Sequence, residues 1–302
     1  MTSSEIVRLL EERGPLTGAQ LVEETRTEVF SLWSTCKRLP EIRFDIAGTR
    51  FLRLDRAVPG FARLSPSIRR EFLTYTLLGL EGHEVLLRSA AESLKNQIKG
   101  ISIAKLDLAR ESIKSAVESI EQRDEILCKA CFVIAGDVVY NMSHTVPRPE
   151  KSTGEMVRGS DLDIIGIVND GLPEELFKAI DKAIFRKKHF LLVHPDYREE
   201  IDYILKDLAR VREQVRFDTF ESMVACKILC EGSLLLGSES LFSAVKRLLE
   251  GSSIPQKLAD MEQRALLGRE SAEQQLLDLA ADSIDSQSIH LFYTREEGEE
   301  IY

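Results

Sequence analysis

Cysteine is scarce and odd in number: five among 302 residues. An odd count with no secretion signal argues against a disulfide framework. Cys128/Cys131 and Cys226/Cys230 have spacings that zinc sites also use, but both pairs sit among apolar residues, where free cysteine behaves as a small hydrophobe. No apolar run approaches the ~18 residues that suggest a membrane span. Residues 1–14 are charged and helical in pattern, without the apolar centre of a signal peptide. The expectation is a soluble, cytoplasmic chain with no membrane partner. There is no Gly-x-x-x-x-Gly-Lys-Ser/Thr loop and no Gly-x-Ser-x-Gly elbow, which excludes a P-loop cradle and a serine-hydrolase elbow. A general basic excess is missing too. The net charge of −10 argues against a nonspecific coat for nucleic acid.

What is present is unevenly placed. The apolar fraction of 43% can furnish a sizeable core. Residues 26–70 carry a local charge of +6 against −16 for the remainder, so an anionic partner for that segment is a candidate. Three capping boxes, Thr2-x-x-Glu5, Thr17-x-x-Gln20 and Thr25-x-x-Glu28, open three short helical patterns. Pro40 stops the third. Phe44-Asp45-Ile46 and Arg50–Leu54, either side of Ala47-Gly48-Thr49, then predict a hairpin over 42–54. This order resembles a winged helix-turn-helix domain. The resemblance implies that the third helix, about 26–39 with Lys37 and Arg38, faces a DNA major groove, and that Arg50 and Arg53 of the wing approach phosphate. A wing packed on its own protein is the competing reading.

Residues 57–128 read as a helical connector, with helices near 81–98 and 102–127 split at Lys99-Gly100. Past 130 the texture changes. A β-prone run at 131–135 ends at Gly136-Asp137, 144–153 reads as a loop, and 161–168 reads as a buried strand. A helix is expected over 172–185, then strands at 189–193 and 199–205. The region 219–281 is helical, broken at Glu231-Gly232 and at Gly251, and the last twenty residues are polar and loosely held.

The chemistry concentrates in Arg158-Gly-Ser-Asp-Leu-Asp-Ile-Ile165. Residues i and i+2 of a strand share a face, so Asp161 and Asp163 stand side by side while Leu162 and Ile164 pack the other way. Two carboxylates at the head of a buried strand repel and are desolvated. A divalent cation removes that conflict; Mg²⁺ takes oxygen ligands from a few carboxylates and from substrate phosphates. Histidine 144, in the loop before this segment, is more simply a loop residue than a substrate contact.

On these residues the chain resembles the DNA polymerase beta-like nucleotidyltransferase superfamily, over about 130–240. Ser160-Asp-Leu-Asp-Ile164 matches the second half of its signature. Ile134-Ala-Gly136-Asp137 corresponds to the glycine half, with Asp137 where serine is usual and a long spacer before Asp161. The resemblance implies Mg²⁺ (or Mn²⁺) on Asp161, Asp163 and a third carboxylate, with an NTP as substrate. Asp202 is the first candidate for that third acid if 199–205 is a strand. If Tyr197, Ile201, Ile204, Leu208 and Val211 form a helix face instead, Asp218 is next. Gly136, Asp137, Ser160 and Lys227 are the implied nucleotide contacts.

The expected fold class is α+β: a winged helix over 1–56, a connector over 57–128, a mixed-sheet nucleotidyltransferase core over 129–237 and a helical C-terminal region over 238–302. The implied activity is transfer of a nucleoside monophosphate from an NTP to an unidentified acceptor. A DNA-binding regulator with an inactive, nucleotide-sensing core, or a toxin–antitoxin-type component, is the alternative. A homo-oligomer is left open.

Overall fold

The structure, a computed structural model, describes residues 3–280, 284, 286 and 288–299. Thr2, assigned above to the first capping box, lies outside them, as do several of the last twenty residues.

The chain begins with α1 (Ser3–Arg13), a short strand β1 (Leu16–Thr17), α2 (Gly18–Thr25), α3 (Val29–Arg38) and β2 (Ile42–Ile46). Thr17 and Gln20 form a complete capping box at α2. The third helix differs: Glu28 caps it by accepting the Ser31 N–H at 2.9 Å, while the Thr25 hydroxyl bonds back to the carbonyl of Leu21. There follow β3 (Phe51–Leu54), β4 (Ala62–Ser65), the one-turn α4 (Ile68–Arg70) and β5 (Thr76–Leu80).

The hairpin expected over 42–54 does not form. β2 pairs antiparallel with β5, with Phe44 opposite Leu78, and β5 also pairs with β1, giving the sheet order β1-β5-β2. β3 pairs with β4 instead. The reason is that β5 is buried at all five positions, so it is the natural central strand. A short, unbroken apolar run of this kind cannot be told from a helix segment by periodicity. The displaced β3–β4 hairpin packs Leu52 and Leu64 into the apolar layer of the central sheet.

α5 (Glu84–Glu118) is one unbroken helix of 35 residues, with no break at Lys99-Gly100. Gly100 faces open space. A single glycine costs a helix only about 1 kcal/mol, which the buried stripe Ala91, Ile98, Ala109, Ile113 and Val117 offsets.

The remaining elements are α6 (Arg123–Lys129), β6 (Ala130–Ile134), β7 (Pro147–Pro149), β8 (Met156–Arg158), β9 (Leu162–Val168), α7 (Glu174–Val193), β10 (Ile201–Asp207), α8 (Leu208–Gln214), α9 (Phe220–Glu231), β11 (Ser233–Gly237), α10 (Glu239–Gly251), α11 (Ile254–Asp278) and α12 (Ile289–Phe292). The architecture is α+β, built on a mixed four-stranded sheet in the order β10-β9-β6-β11. β10 runs parallel to β9; the β9–β6 and β6–β11 pairs are antiparallel. Residues 189–193, expected as a strand, finish α7: Leu191 and Leu192 are buried while Phe190 is exposed, which is a helix stripe. The sheet alternates as a two-sided sheet should. Ala130, Phe132, Leu162 and Ile164 join Ile113, Val117 and Ile180 on one face. Cys131, Val133, Ile165 and Ile167 join α8 to α11 and the β3–β4 hairpin on the other.

The C-terminal end is held more firmly than its polarity suggests. Phe292 is buried, its ring 5.5 Å from those of both Phe30 and Trp33 on α3. Among the described residues no helix is long and apolar enough to cross a membrane.

Candidate active site

The acids meet at one end of the central sheet. Asp163 lies on β9 directly beside Asp202 on β10, in parallel register. Parallel neighbours are about 4.8 Å apart. Asp161, two residues before Asp163, joins them at the mouth, and all three line one cavity of about 600 Å³. The strand reading of 199–205 is therefore what the chain adopts, and Asp202 sits where a third carboxylate was expected. Asp218 lies exposed between α8 and α9, away from the cavity.

Asp163 keeps part of its surface open to the cavity, yet it lies deep enough that burial dominates its behaviour. Burial raises its carboxyl well above the ordinary range, and Asp161, Asp202, Asp137 and Glu231 push it the same way. Gly136 makes that crowding sterically feasible. The Ala135 N–H bonds the Asp163 carbonyl at 3.0 Å, which lays the next residue against the acid. Gly136 adopts φ +69°, and a Cβ there would come within 2.1 Å of Asp163 Oδ2. Only glycine meets both conditions.

Asp137 lines the cavity and is half-buried. Its Oδ2 accepts the Ser160 hydroxyl at 2.6 Å. Burial raises its carboxyl, with Arg70 and that hydrogen bond opposing. Ser160 in turn accepts the His144 N–H at 3.2 Å, so the loop before β7 is tied to the head of β9. Gly159 permits this contact; a Cβ there would collide with the His144 carbonyl. His144 itself is buried and lines the cavity, rather than being a loop histidine in solvent. Its Nδ1 accepts the Val146 N–H, and burial, reinforced by Arg70, Lys105 and Arg148, holds the ring neutral well below the ordinary histidine range.

Three core cations are engaged with core acids. Arg148 bonds Glu200 at 2.8 Å and approaches Asp161 at 3.6 Å. Lys227 pairs with Glu231 at 2.5 Å and lies over the stacked rings of Phe51 and Tyr140. Glu231 also accepts from the Tyr140 hydroxyl and from the Gly136 N–H, so that amide is already held. Lys105 of α5, buried, bonds the carbonyls of Arg158 and Ser160 and the carboxylate of Glu199, clamping the heads of β9 and β10 together.

Of the residues expected to face DNA, Lys37, Arg38 and Arg50 engage the protein's own groups and Arg53 lines the cavity. Lys37 is 3.7 Å from Glu273 and lies over the Phe44 ring. Arg38 donates to the carbonyls of Leu277 and Leu279. Arg50 makes two 2.6 Å bonds to Glu71. α3 buries Phe30, Leu32, Trp33, Ser34 and Cys36, about half of its circumference, and leaves Lys37 and Arg38 exposed. Arg53 lines the cavity with the acids. Arg70, Arg148, Lys188 and Glu231 also line it, and no local motif marks any of them; tertiary packing alone brings them there.

Among the described residues no group of three or more His, Cys, Asp or Glu side chains is arranged, as it stands, to hold a metal ion. The donor set nevertheless fits a hard divalent ion. Three carboxylates line one opening, and the deepest of them is disfavoured as an anion first by burial and then by the four carboxylates of Asp161, Asp202, Asp137 and Glu231. Mg²⁺ needs only one or two such ligands beside phosphate oxygens and water. No known protein-family model matches the chain, and no curated protein matches it in sequence.

Proposed function

We propose that the protein is a divalent-metal-dependent nucleotidyltransferase that moves a nucleoside monophosphate from an NTP to an acceptor, the acceptor bonding to the α-phosphorus as its bond to the β-phosphate breaks and pyrophosphate leaves. The observation that supports this reading best is the register of Asp163 beside Asp202, with Asp161 at the mouth and Gly136 giving close approach from above. Asp161, Asp163 and Asp202 would hold Mg²⁺ or Mn²⁺. The ion, when bound, supplies electrophilic stabilisation of the phosphate charge. Asp202, the most open of the three, accepts the proton of the attacking acceptor group. Ser160 and Asp137 fix the head of β9, and the neutral His144 ring offers its Nε2–H to the cavity. The volume of about 600 Å³ suits a nucleotide and a small acceptor.

We leave groove recognition by α3 out of this proposal, since its basic side chains Lys37 and Arg38 are engaged with Glu273 and with the carbonyls of Leu277 and Leu279. Calorimetric titration of ATP and GTP, with Mg²⁺ or with EDTA, tests the proposal against the Asp161→Ala/Asp163→Ala variant. Metal-dependent binding that the variant loses, followed by transfer of label from α-labelled NTP, is the expected result. Equal binding by variant and wild type sinks it.

A further inference from the structure

Asp161, Asp163 and Asp202 account for a metal, and a phosphate chain beside it calls for cations; Arg148, Lys151, Lys188 and Lys227 are the basic residues that the region after β6 contributes to the cavity. Two other arginines reach the cavity from outside the core: Arg53 on β3 and Arg70 on α4. We infer that Arg53 and Arg70 form the wall that binds the phosphate chain of the nucleotide, so that the N-terminal module completes the active site. This rests on the transferase reading.

Four observations carry it. Both side chains line the same cavity as Gly136, Asp137 and Asp163. Both guanidinium groups act on Asp137, so their charge is directed at the turn that follows β6. Arg70 is only 9% exposed and is backed by Glu297, 3.4 Å away and itself buried. Burial opposes the charge of Glu297, but Arg70 and Arg53, with hydrogen bonds from Ser67 and the Thr294 N–H, hold that carboxyl at about 2, so Glu297 stays charged behind Arg70. The hairpin that carries Arg53 is fixed to the core through Leu52 and Leu64. Guanidinium groups held in this way suit phosphate oxygens, which they bind in a planar, two-pronged manner. A concave site of this size takes a free triphosphate rather than a duplex backbone.

The test is calorimetry on the full chain with inorganic tripolyphosphate, ATP with Mg²⁺, and adenosine. Arg53→Gln should weaken tripolyphosphate and ATP roughly ten- to hundredfold and leave adenosine unchanged. Arg70→Lys keeps the charge and loses the planar fork, so a smaller loss is expected; a thermal melt checks that the buried position still folds. Tripolyphosphate that binds Arg53→Gln as tightly as wild type, or that does not bind wild type, overturns the inference. Arg53-dependent tripolyphosphate binding without any transfer of label from NTP leaves the wall standing and removes the transferase reading. Mg²⁺- and Asp163-dependent ATP binding that ignores Arg53→Gln does the reverse.

Discussion

The C-terminal end of α3 and the mouth formed by β9 and β10 both gather charged side chains, and they treat them oppositely. At α3, Lys37 meets Glu273 and Arg38 meets two carbonyls, so each charge has a counterpart of the protein's own. At the mouth, Asp163 is surrounded by Asp161, Asp202, Asp137 and Glu231. Charge that is already answered stabilises the fold. Charge that is crowded by its own sign raises the energy of the empty protein and lowers it when a cation arrives. The second condition, not the density of charge, marks where a ligand belongs.

The comparison breaks most visibly at the acids. Asp161→Ala/Asp163→Ala should reduce nucleotidyl transfer by a factor on the order of 10³ or more, the scale expected when charge stabilisation of the transition state is lost. Steady-state turnover of labelled NTP measures it. Full retention would return the mouth to a structural role.

Arg50→Ala should be next. It strips a bidentate partner from the buried Glu71, which Arg269 at 3.1 Å supports only partly. A loss of about 3 kcal/mol in urea unfolding is expected, as for other broken buried pairs. A loss under about 1 kcal/mol would show that the pair is not what holds the hairpin's base.

A subtler effect separates the two regions by pH. The carboxyl of Asp163 lies above its ordinary value of 3.8 in the folded chain, so the folded state binds more protons than the unfolded one above that pH. Stability without metal should therefore fall as pH rises from about 4 through the raised folded value. Asp163→Asn should remove much of that slope and raise the melting temperature near neutrality. Melts of both proteins in EDTA across this range check it, and equal slopes would contradict the crowding.

The smallest effect belongs to α3. Lys37→Ala is expected to change stability by less than about 1 kcal/mol, since its partner is 3.7 Å away and partly exposed. It should leave ATP binding untouched, and a salt-dependent gel shift with duplex DNA should not distinguish it from wild type. A shift lost in Lys37→Ala would restore a DNA-reading role to that surface.

These outcomes also bear on what the sequence could disclose. The Asp-Leu-Asp pair was legible because strand periodicity is local: two positions apart means one face. Asp202 was legible only as one of two alternatives, since β10 is an edge strand whose apolar residues also fit a helix spacing. β5 was read as the entry to a helix because burial on both faces erases its alternation. Residues 189–193 failed in the opposite sense, as an apolar run that ends a helix. Arg53 and Arg70 had no motif to carry them. Seventeen positions apart, they reach one cavity because the β3–β4 hairpin, with α4 following it, packs against the central sheet.

The position of Lys105 has a further consequence. One ammonium group on α5 joins the chain just before β9 to the chain just before β10, so the spacing of Asp163 and Asp202 is set from a helix that contributes no side chain to the cavity. That helix also packs on the N-terminal sheet, where Leu87 lies against Gly79. A change at Lys105 therefore reaches the heads of β9 and β10 from a helix outside the cavity wall, at a distance from the acids themselves.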